Sequence, residues 1–443
     1  MIAFLGPAVV ITALALLGWL ADRLLSLRLA AAGAGCWPLR VFCGLSALYL
    51  LALHPAVLLA VIGGTVLAQW RSPSSSGHDT PAVRNERWLI LMTVALLALV
   101  ATRPLVPTAW DEFAWLGKAR LETQGWGSLR RAELDPSWPL FGSAHPMLWP
   151  LAVARLATFH AGIRELVAAG EWLVVLVAVV FVASLHAVCA AGRRQSAISG
   201  ELAGLGLLVL TPFVLVHLRL VYVDLSVGMM AGVVVLNLVA WVESAGTDTR
   251  WPLAGVAIPA IVLTGLKDEG AVWAIAIACA FAVTYPDRRS LRVMAATLVV
   301  PGLGLAMLWK LTTYASGVIN PERVPTFHVA HRVVPLLVHG FLPNAGDLTT
   351  WGACWGVIGG TVLSTCLWPQ RFAKGTRFAA GAFLALSLAA YTAMLVSPEG
   401  VFVQALSAGF ILDRVLLQLV PVGAAVVSLV AADLIAAARP HRR

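Results

Sequence analysis

Charge is what this sequence has least of. Of its 443 residues, 12% are Asp, Glu, Lys or Arg, where an ordinary soluble domain carries about 25%. So few charges could not cover the surface of a water-soluble fold of this size. Disorder is excluded by the same scarcity, because disordered chains are rich in charge and poor in apolar residues. Cysteine is sparse too: the six (Cys36, Cys43, Cys189, Cys279, Cys354 and Cys366) form no CxxC pair. Most lie inside apolar runs and read as small core-filling residues, with a Cys36–Cys43 bridge as a minor alternative. There is no internal repeat and no low-complexity domain, and the Ser/Pro-rich stretch 72–81 reads as a plain loop. The N-terminal apolar run is followed by no small-residue cleavage site, so it is expected to stay as a first helix. What is abundant is hydrophobic residues, 60% of the chain. The expected fold class is an all-α polytopic membrane protein.

A helix needs about 20 residues to cross the hydrocarbon core. The apolar runs give about twelve candidates: 2–21, 41–69, 88–106, 170–190, 201–218, 225–243, 252–266, 270–285, 291–313, 351–368, 378–396 and 414–436. The polar Lys267-Asp268-Glu269-Gly270 splits two short runs, which read as a hairpin with its tip toward the membrane. His54-Pro55 predicts a kink in the long second run.

The charge balance, 31 basic against 22 acidic residues or +9, points to orientation. The bases fall in short clusters between apolar runs, the pattern that places a loop in the cytoplasm. No basic stripe interleaves with exposed aromatics, so no nucleic-acid partner is expected. With a cytoplasmic N-terminus, the inside loops carry Arg71, Arg84 and Arg87; Arg193 and Arg194; Arg250; Arg288, Arg289 and Arg292; Arg371, Lys374 and Arg377; and Arg439, Arg442 and Arg443. The chain then divides into N-terminal helices (1–106), a first large outer loop (107–169), a central bundle (170–313), a second outer loop (314–350) and C-terminal helices (351–443). Interfacial helices are expected in both outer loops, including an amphipathic stretch 147–164 anchored by Trp149.

Acids at the span ends collect on one side. Asp111 and Glu112 follow the third run, Asp224 lies between the fifth and sixth, Asp268 and Glu269 tip the hairpin, and Asp413 and Arg414 open the last run. By parity all face outward. Taken singly, Asp224 and Asp413 could be helix caps and Lys267 could merely snorkel. Together they predict a shared outer-facing polar site, since ionisable groups near hydrocarbon are costly and usually kept for function. Carboxylates with Lys and Arg beside a bilayer suit sugar transfer from a lipid phosphate. The cations hold the anionic leaving group, and a carboxylate deprotonates the acceptor. Trp110, Trp115, Trp126, Trp138 and Tyr222 either stack on sugar rings or form an ordinary aromatic belt.

These segments resemble the GT-C superfamily of integral-membrane glycosyltransferases, which use polyprenyl-phosphate-linked sugars and include protein O-mannosyltransferases and the lipid A aminoarabinose transferase. Trp110-Asp111-Glu112, continuing through Trp115 to Lys118-Ala-Arg120, is similar to the family's first acidic motif. His145-Pro146, Tyr222-Val-Asp224, Lys267-Asp268-Glu269-Gly270 and Leu412-Asp413-Arg414 to Pro421 resemble later motifs, in matching order over residues 100–425. The acidic loop follows the third expected span, where the simplest family layout has it after the first. The resemblance implies a GT-C-like bundle with its site facing the periplasm, and the basic, Arg- and Ala-rich composition fits a bacterial inner membrane. Asp111 would be the general base and Glu112 its partner. Lys267 and Arg414 would hold the donor phosphate, and Asp224, Glu269, Tyr222, His145 and Trp110 would shape the site.

The implied partners are a polyprenyl-phosphate-linked sugar, a glycan, lipid or protein acceptor, and membrane lipids. His328 and His331 would share one helix face, but no Cys or carboxylate follows at ligand spacing. A divalent ion on a diphosphate is conceivable at the acidic rim, yet no metal or cofactor is expected. The competing readings are an O-antigen-type polymerase or ligase, and a secondary transporter. The transporter reading lacks repeated halves and would place its charges at mid-membrane.

Overall fold

The computed structural model describes residues 2–24, 37–53, 93–96, 98–99, 102, 105–108, 110–135, 146–157, 162–192, 197–243, 251–318 and 329–438. Among them all regular structure is helical, with no strand. The chain has the apolar helices of a membrane protein, in keeping with its hydrocarbon-rich composition.

The helices that matter to the site are α1 (Ile2–Leu24), α2 (Trp37–Leu53), α3 (Trp110–Thr123), α4 (Ser128–Glu133), α5 (Leu148–Leu156) and α6 (Ile163–Gly192). They continue with α7 (Ala197–Leu210), α8 (Pro212–Leu218), α9 (Val223–Glu243), α10 (Trp251–Leu266), α11 (Glu269–Thr284) and α12 (Arg288–Ala315). After an irregular helical stretch from Ala330–Arg332 to Leu342–Gly346 come α13 (Cys354–Leu367), α14 (Lys374–Leu395), α15 (Glu399–Ala408) and α16 (Phe410–Ala438).

Among the described residues, five helices are long and apolar enough to cross a membrane: α6, α9, α12, α14 and α16. A sixth span is formed if α7 and α8, bent by 82° at Thr211–Pro212, count as one. Pro212 at the first position of α8 forces that break, since a proline ring there cannot continue the preceding helix. Against the twelve runs expected, α10, α11 and α13 are helical but shorter than a full span. The run 41–69 is described only as far as Leu53, so the His54-Pro55 kink lies outside the described residues, as do most of 88–106, Cys36 and with it the Cys36–Cys43 pairing.

The spans sort into inner and outer by burial. Packed protein covers 83% of the apolar window in α6, 94% in α9 and 89% in α16, but 22% in α12 and 39% in α14. A helix apolar on every side is buried in protein or faces lipid, and these figures separate the two cases. α9 is the central post, packed against α6, α10, α14 and α16. Its crossing with α16 depends on Gly228, where an added Cβ would lie 2.4 Å from the carbonyl oxygen of Gln418. Gly270 does the same for the α10–α11 hairpin, its hypothetical Cβ falling 1.9 Å from the Leu263 carbonyl oxygen.

α12 contains a π-helical stretch, Ala295–Leu303, with Pro301 inside it. Proline lacks the N–H that an α-helical turn requires, so the wider turn is accommodated there. Asp287 caps the start of α12, accepting from the Ser290 N–H at 2.9 Å. That bonding holds its carboxyl below the ordinary aspartate range.

One expectation is corrected. Of the stretch 147–164 read as interfacial, Leu148–Leu156 form α5, in which every residue except Arg155 is buried, and 158–161 lie outside the described residues. Trp149 is fully enclosed and anchors nothing at a membrane surface. The cause is that α5 is covered on several sides at once, by α1, α2, α3, α6 and α10. Arg155, the exception, reaches Glu122 and lies over the Trp126 ring at 4.3 Å.

The second large loop is clipped to the bundle. Arg332, almost wholly buried, donates to the carbonyls of Leu395 at 3.1 Å and Ser397 at 2.5 Å, pairs with Glu399 and lies 4.6 Å above the Phe402 ring. Beside it Leu336, Phe402, Ala405 and Leu412 make a small separate apolar cluster.

Candidate active site

Several helix ends meet at one end of the bundle. Asp224 is in the first turn of α9, Glu269 opens α11, Lys267 follows the last residue of α10, and Arg414 lies in the first turns of α16. Asp224 is the hub. Its Oδ1 accepts from Lys267 Nζ at 2.9 Å and from Gln418 Nε2 at 2.6 Å, and its Oδ2 accepts from Arg414 Nε at 2.8 Å. An enclosed carboxylate is tolerable only when paired and hydrogen-bonded in this way. Gln418 sits one helical turn beyond Arg414, which puts both on one face of α16. It is braced in turn by Trp273, whose indole N–H donates to Gln418 Oε1 at 2.7 Å.

Lys267 has a second carboxylate, Glu269, at 3.1 Å. Next to it Lys310, near the end of α12, pairs with Asp268 at 2.7 Å. Lys118 pairs with Glu133 at 2.5 Å. Lys310 is also close enough to Glu269 and Glu133 to feel both charges. The charged groups of α3, α4, the α10–α11 turn, α9, α12 and α16 thus form one neighbourhood.

Glu112 belongs to it through the backbone. Its Oε1 accepts from the Val221 N–H at 2.7 Å, while Oε2 accepts from the Thr108 N–H at 2.7 Å and the Thr108 hydroxyl at 3.1 Å. It therefore ties the start of α3 to the turn that carries Tyr222 and Asp224. Tyr222 is buried beneath the Arg414 guanidinium, 5.0 Å from ring centre to Cζ, with His217 edge-on to it at 5.3 Å. In this arrangement Tyr222 supports Arg414 and presents no open ring face for a sugar. Trp115 similarly lies under Lys118, at 5.5 Å.

Of the residues singled out from sequence, Glu112, Tyr222, Asp224, Lys267, Glu269 and Arg414 come together. Trp110 and Asp111 lie in the first turn of α3, next to Glu112, but their side chains fall outside those described, and His145 lies outside the described residues. So do Trp138 and His328; among the described residues no group of three His, Cys, Asp or Glu could hold a metal ion.

Sequence reasoning missed Gln418, Trp273, His217, Lys310 and Glu133. Two signals could have found some of them. Lys310 is a charge inside an otherwise apolar run, and Gln418 is an amide four residues after Arg414, on the same helical face.

Chemically, the arrangement offers two cations held apart by a common buried carboxylate, a more exposed ion-paired lysine, and carboxylates able to accept from hydroxyls. Comparison with protein-family models, with characterised proteins and with solved structures finds no match to this chain.

Proposed function

We propose that this chain is a membrane glycosyltransferase that moves a sugar from a polyprenyl-phosphate donor to an acceptor, in the manner of the GT-C superfamily its motifs resemble. The observation that carries the reading is the Asp224 hub, which holds Lys267 and Arg414 on opposite oxygens of one carboxylate. A clamp of two oriented cations suits an anionic phosphate leaving group, because preorganised charge costs no rearrangement as the bond breaks.

In this reading Asp111 removes the proton from an acceptor hydroxyl or amine. The freed electron pair attacks the anomeric carbon, and the bond from that carbon to the phosphate oxygen breaks. Its electrons leave with the polyprenyl phosphate, whose charge Lys267 and Arg414 stabilise. Glu112 and Glu269 position the parts, Glu112 through Val221 and Glu269 through Lys267. The site faces the periplasm in this scheme, as the positive-inside pattern of the loops implies. The sugar and the acceptor, whether glycan, lipid or protein, are left open.

The test is mass spectrometry of lipids co-purified with the protein. A bound polyprenyl-phospho-sugar is the expected finding, and transfer of its sugar by the purified protein completes the case. Repeated purification with no polyprenyl lipid, and no transfer from supplied donors, would discard the proposal.

A second reading, a secondary transporter, draws on the complete burial of Asp224 within the first turn of a central span, since enclosed charges in such helices often line solute paths. Solute uptake into vesicles that Asp224→Asn abolishes would favour it.

A further inference from the structure

The charged neighbourhood is graded from buried to exposed. Side-chain exposure rises from 0% at Asp224 and 9% at Lys267 to 38% at Glu269 and 44% at Lys310. The last two therefore form the rim, and Lys310 is the cation a newcomer meets first.

What lies below this rim is apolar and, among the described residues, uncovered. On α11 the exposed residues Val272, Ile275, Cys279 and Val283 fall three or four apart, so they form one stripe, headed by Glu269. On α12, which climbs toward the rim, Val300, Met307 and Leu308 are exposed on the turns below Lys310. The two helices meet along the π-helical stretch of α12, while the turns beyond it lean on α10. At the rim the Lys310–Asp268 ion pair spans from α12 to the α10–α11 turn. From Val272 to Val283 the α11 stripe runs about 16 Å, the depth of one leaflet of a hydrocarbon core about 30 Å thick.

We infer that the outer flanks of α11 and α12 form the membrane-side portal for a lipid-linked glycosyl phosphate, whose tail lies along the two stripes while its head exchanges for Asp268 at Lys310. The chemistry of the rim matches such a head. An ammonium group binds phosphate as a point charge, and the carboxylates of Glu269 and Asp268 accept hydrogen bonds from sugar hydroxyls. A simple anionic lipid would use the cation and leave the adjoining carboxylates facing its charge. From Lys310 the phosphate passes inward to Lys267, the next cation along the gradient of burial, as Glu269 turns to the sugar hydroxyls. The inference rests on the lipid-donor reading above and adds the place and the residue of first contact.

The experiment uses the full chain in detergent micelles. The probes are a polyprenyl phosphate and its glucosyl ester, each with a photo-reactive group in its tail, the matching polyprenol without phosphate, and phosphatidylglycerol as a competitor. Expected is binding of the phosphate at least about ten-fold tighter than the polyprenol, with cross-links confined to peptides containing 272–283 and 300–308. Lys310→Ala should remove that ten-fold advantage and Lys310→Arg should restore most of it. The cross-link map is read on the unaltered protein, so it stands even if a variant fails to fold. Tight phosphate binding with cross-links elsewhere, or with no dependence on Lys310, overturns the portal and leaves the glycosyltransferase reading intact. Failure to bind polyprenyl phosphate at all overturns both. Equal displacement by phosphatidylglycerol overturns the assignment to a glycosyl phosphate.

Discussion

Arg414 and Asp224 are 190 residues apart in the chain, and the Nε of one lies 2.8 Å from the Oδ2 of the other. The contact joins the first turns of two central helices, α16 and α9, and the same carboxylate takes Lys267 from a third element. A buried cation, Lys267, and a partly exposed one, Arg414, therefore depend on one buried anion. Asp224→Asn keeps the shape and removes the charge, leaving Lys267 and Arg414 without their shared counter-ion. Breaking a buried pair in this way costs about 3–5 kcal/mol. The expected outcome is a clearly lower unfolding midpoint in detergent; a midpoint equal to that of the unaltered protein would contradict the hub.

Asp111→Asn and Arg414→Ala should fail in different ways. The first is expected to abolish sugar transfer while the protein folds and still binds donor, as loss of a general base does. The second is expected to weaken donor binding, by about ten-fold or more for the loss of a charge-assisted contact. Lipid-binding titrations beside transfer assays separate the two, and full transfer by Asp111→Asn removes that residue from the mechanism.

Gly228 lets the backbone of α9 lie against α16 at Gln418. With the Gln418 carbonyl oxygen 2.4 Å from the position of an added Cβ, Gly228→Ala must push the helices apart. Overpacking of this kind costs about 1–3 kcal/mol. The shift should also lengthen the bond from Gln418 to Asp224, so Gly228→Ala combined with Gln418→Ala should be less destabilising than the sum of the two single changes. Strict additivity in thermal unfolding would show that the glycine and the amide act independently.

Cysteine labelling tests the shared compartment. Asp111→Cys and Glu269→Cys should react with a membrane-impermeant maleimide from the same side of the bilayer, and periplasmic exposure is expected for both. Reaction from opposite sides would separate the two motifs and end the single-site reading.

Asp224, Lys267, Glu269 and Arg414 were legible because charge beside hydrocarbon stands out and all four fall at the ends of apolar runs, whereas Lys310, inside such a run, and Glu133 were passed over. The order of contact among the four was not legible. That Lys267 and Arg414 share Asp224 follows from how α9, α10 and α16 cross, which hangs on a tertiary approach at Gly228 that no local pattern announces. Gln418 and Trp273 were passed over for the same reason, an uncharged amide and an indole being ordinary inside membrane helices. Trp149 shows the opposite error. Tryptophan favours interfaces, so the residue was read as a surface anchor, yet the helices around α5 enclose it completely. The aromatic rings were likewise visible as a group, but their use as platforms beneath Lys118, Arg155 and Arg414 depends on three-dimensional neighbours.

The π-helical stretch in α12 governs what lies beyond it. Each residue in a wider turn rotates the chain less than an α-helical residue does, so Ala295–Leu303 sets the azimuth at which every later side chain of that helix emerges. The ammonium of Lys310 meets Asp268 because of that phase. Shortening the stretch by one residue would swing the same lysine around the helix axis, leaving sequence motifs unaltered and the charge aimed elsewhere.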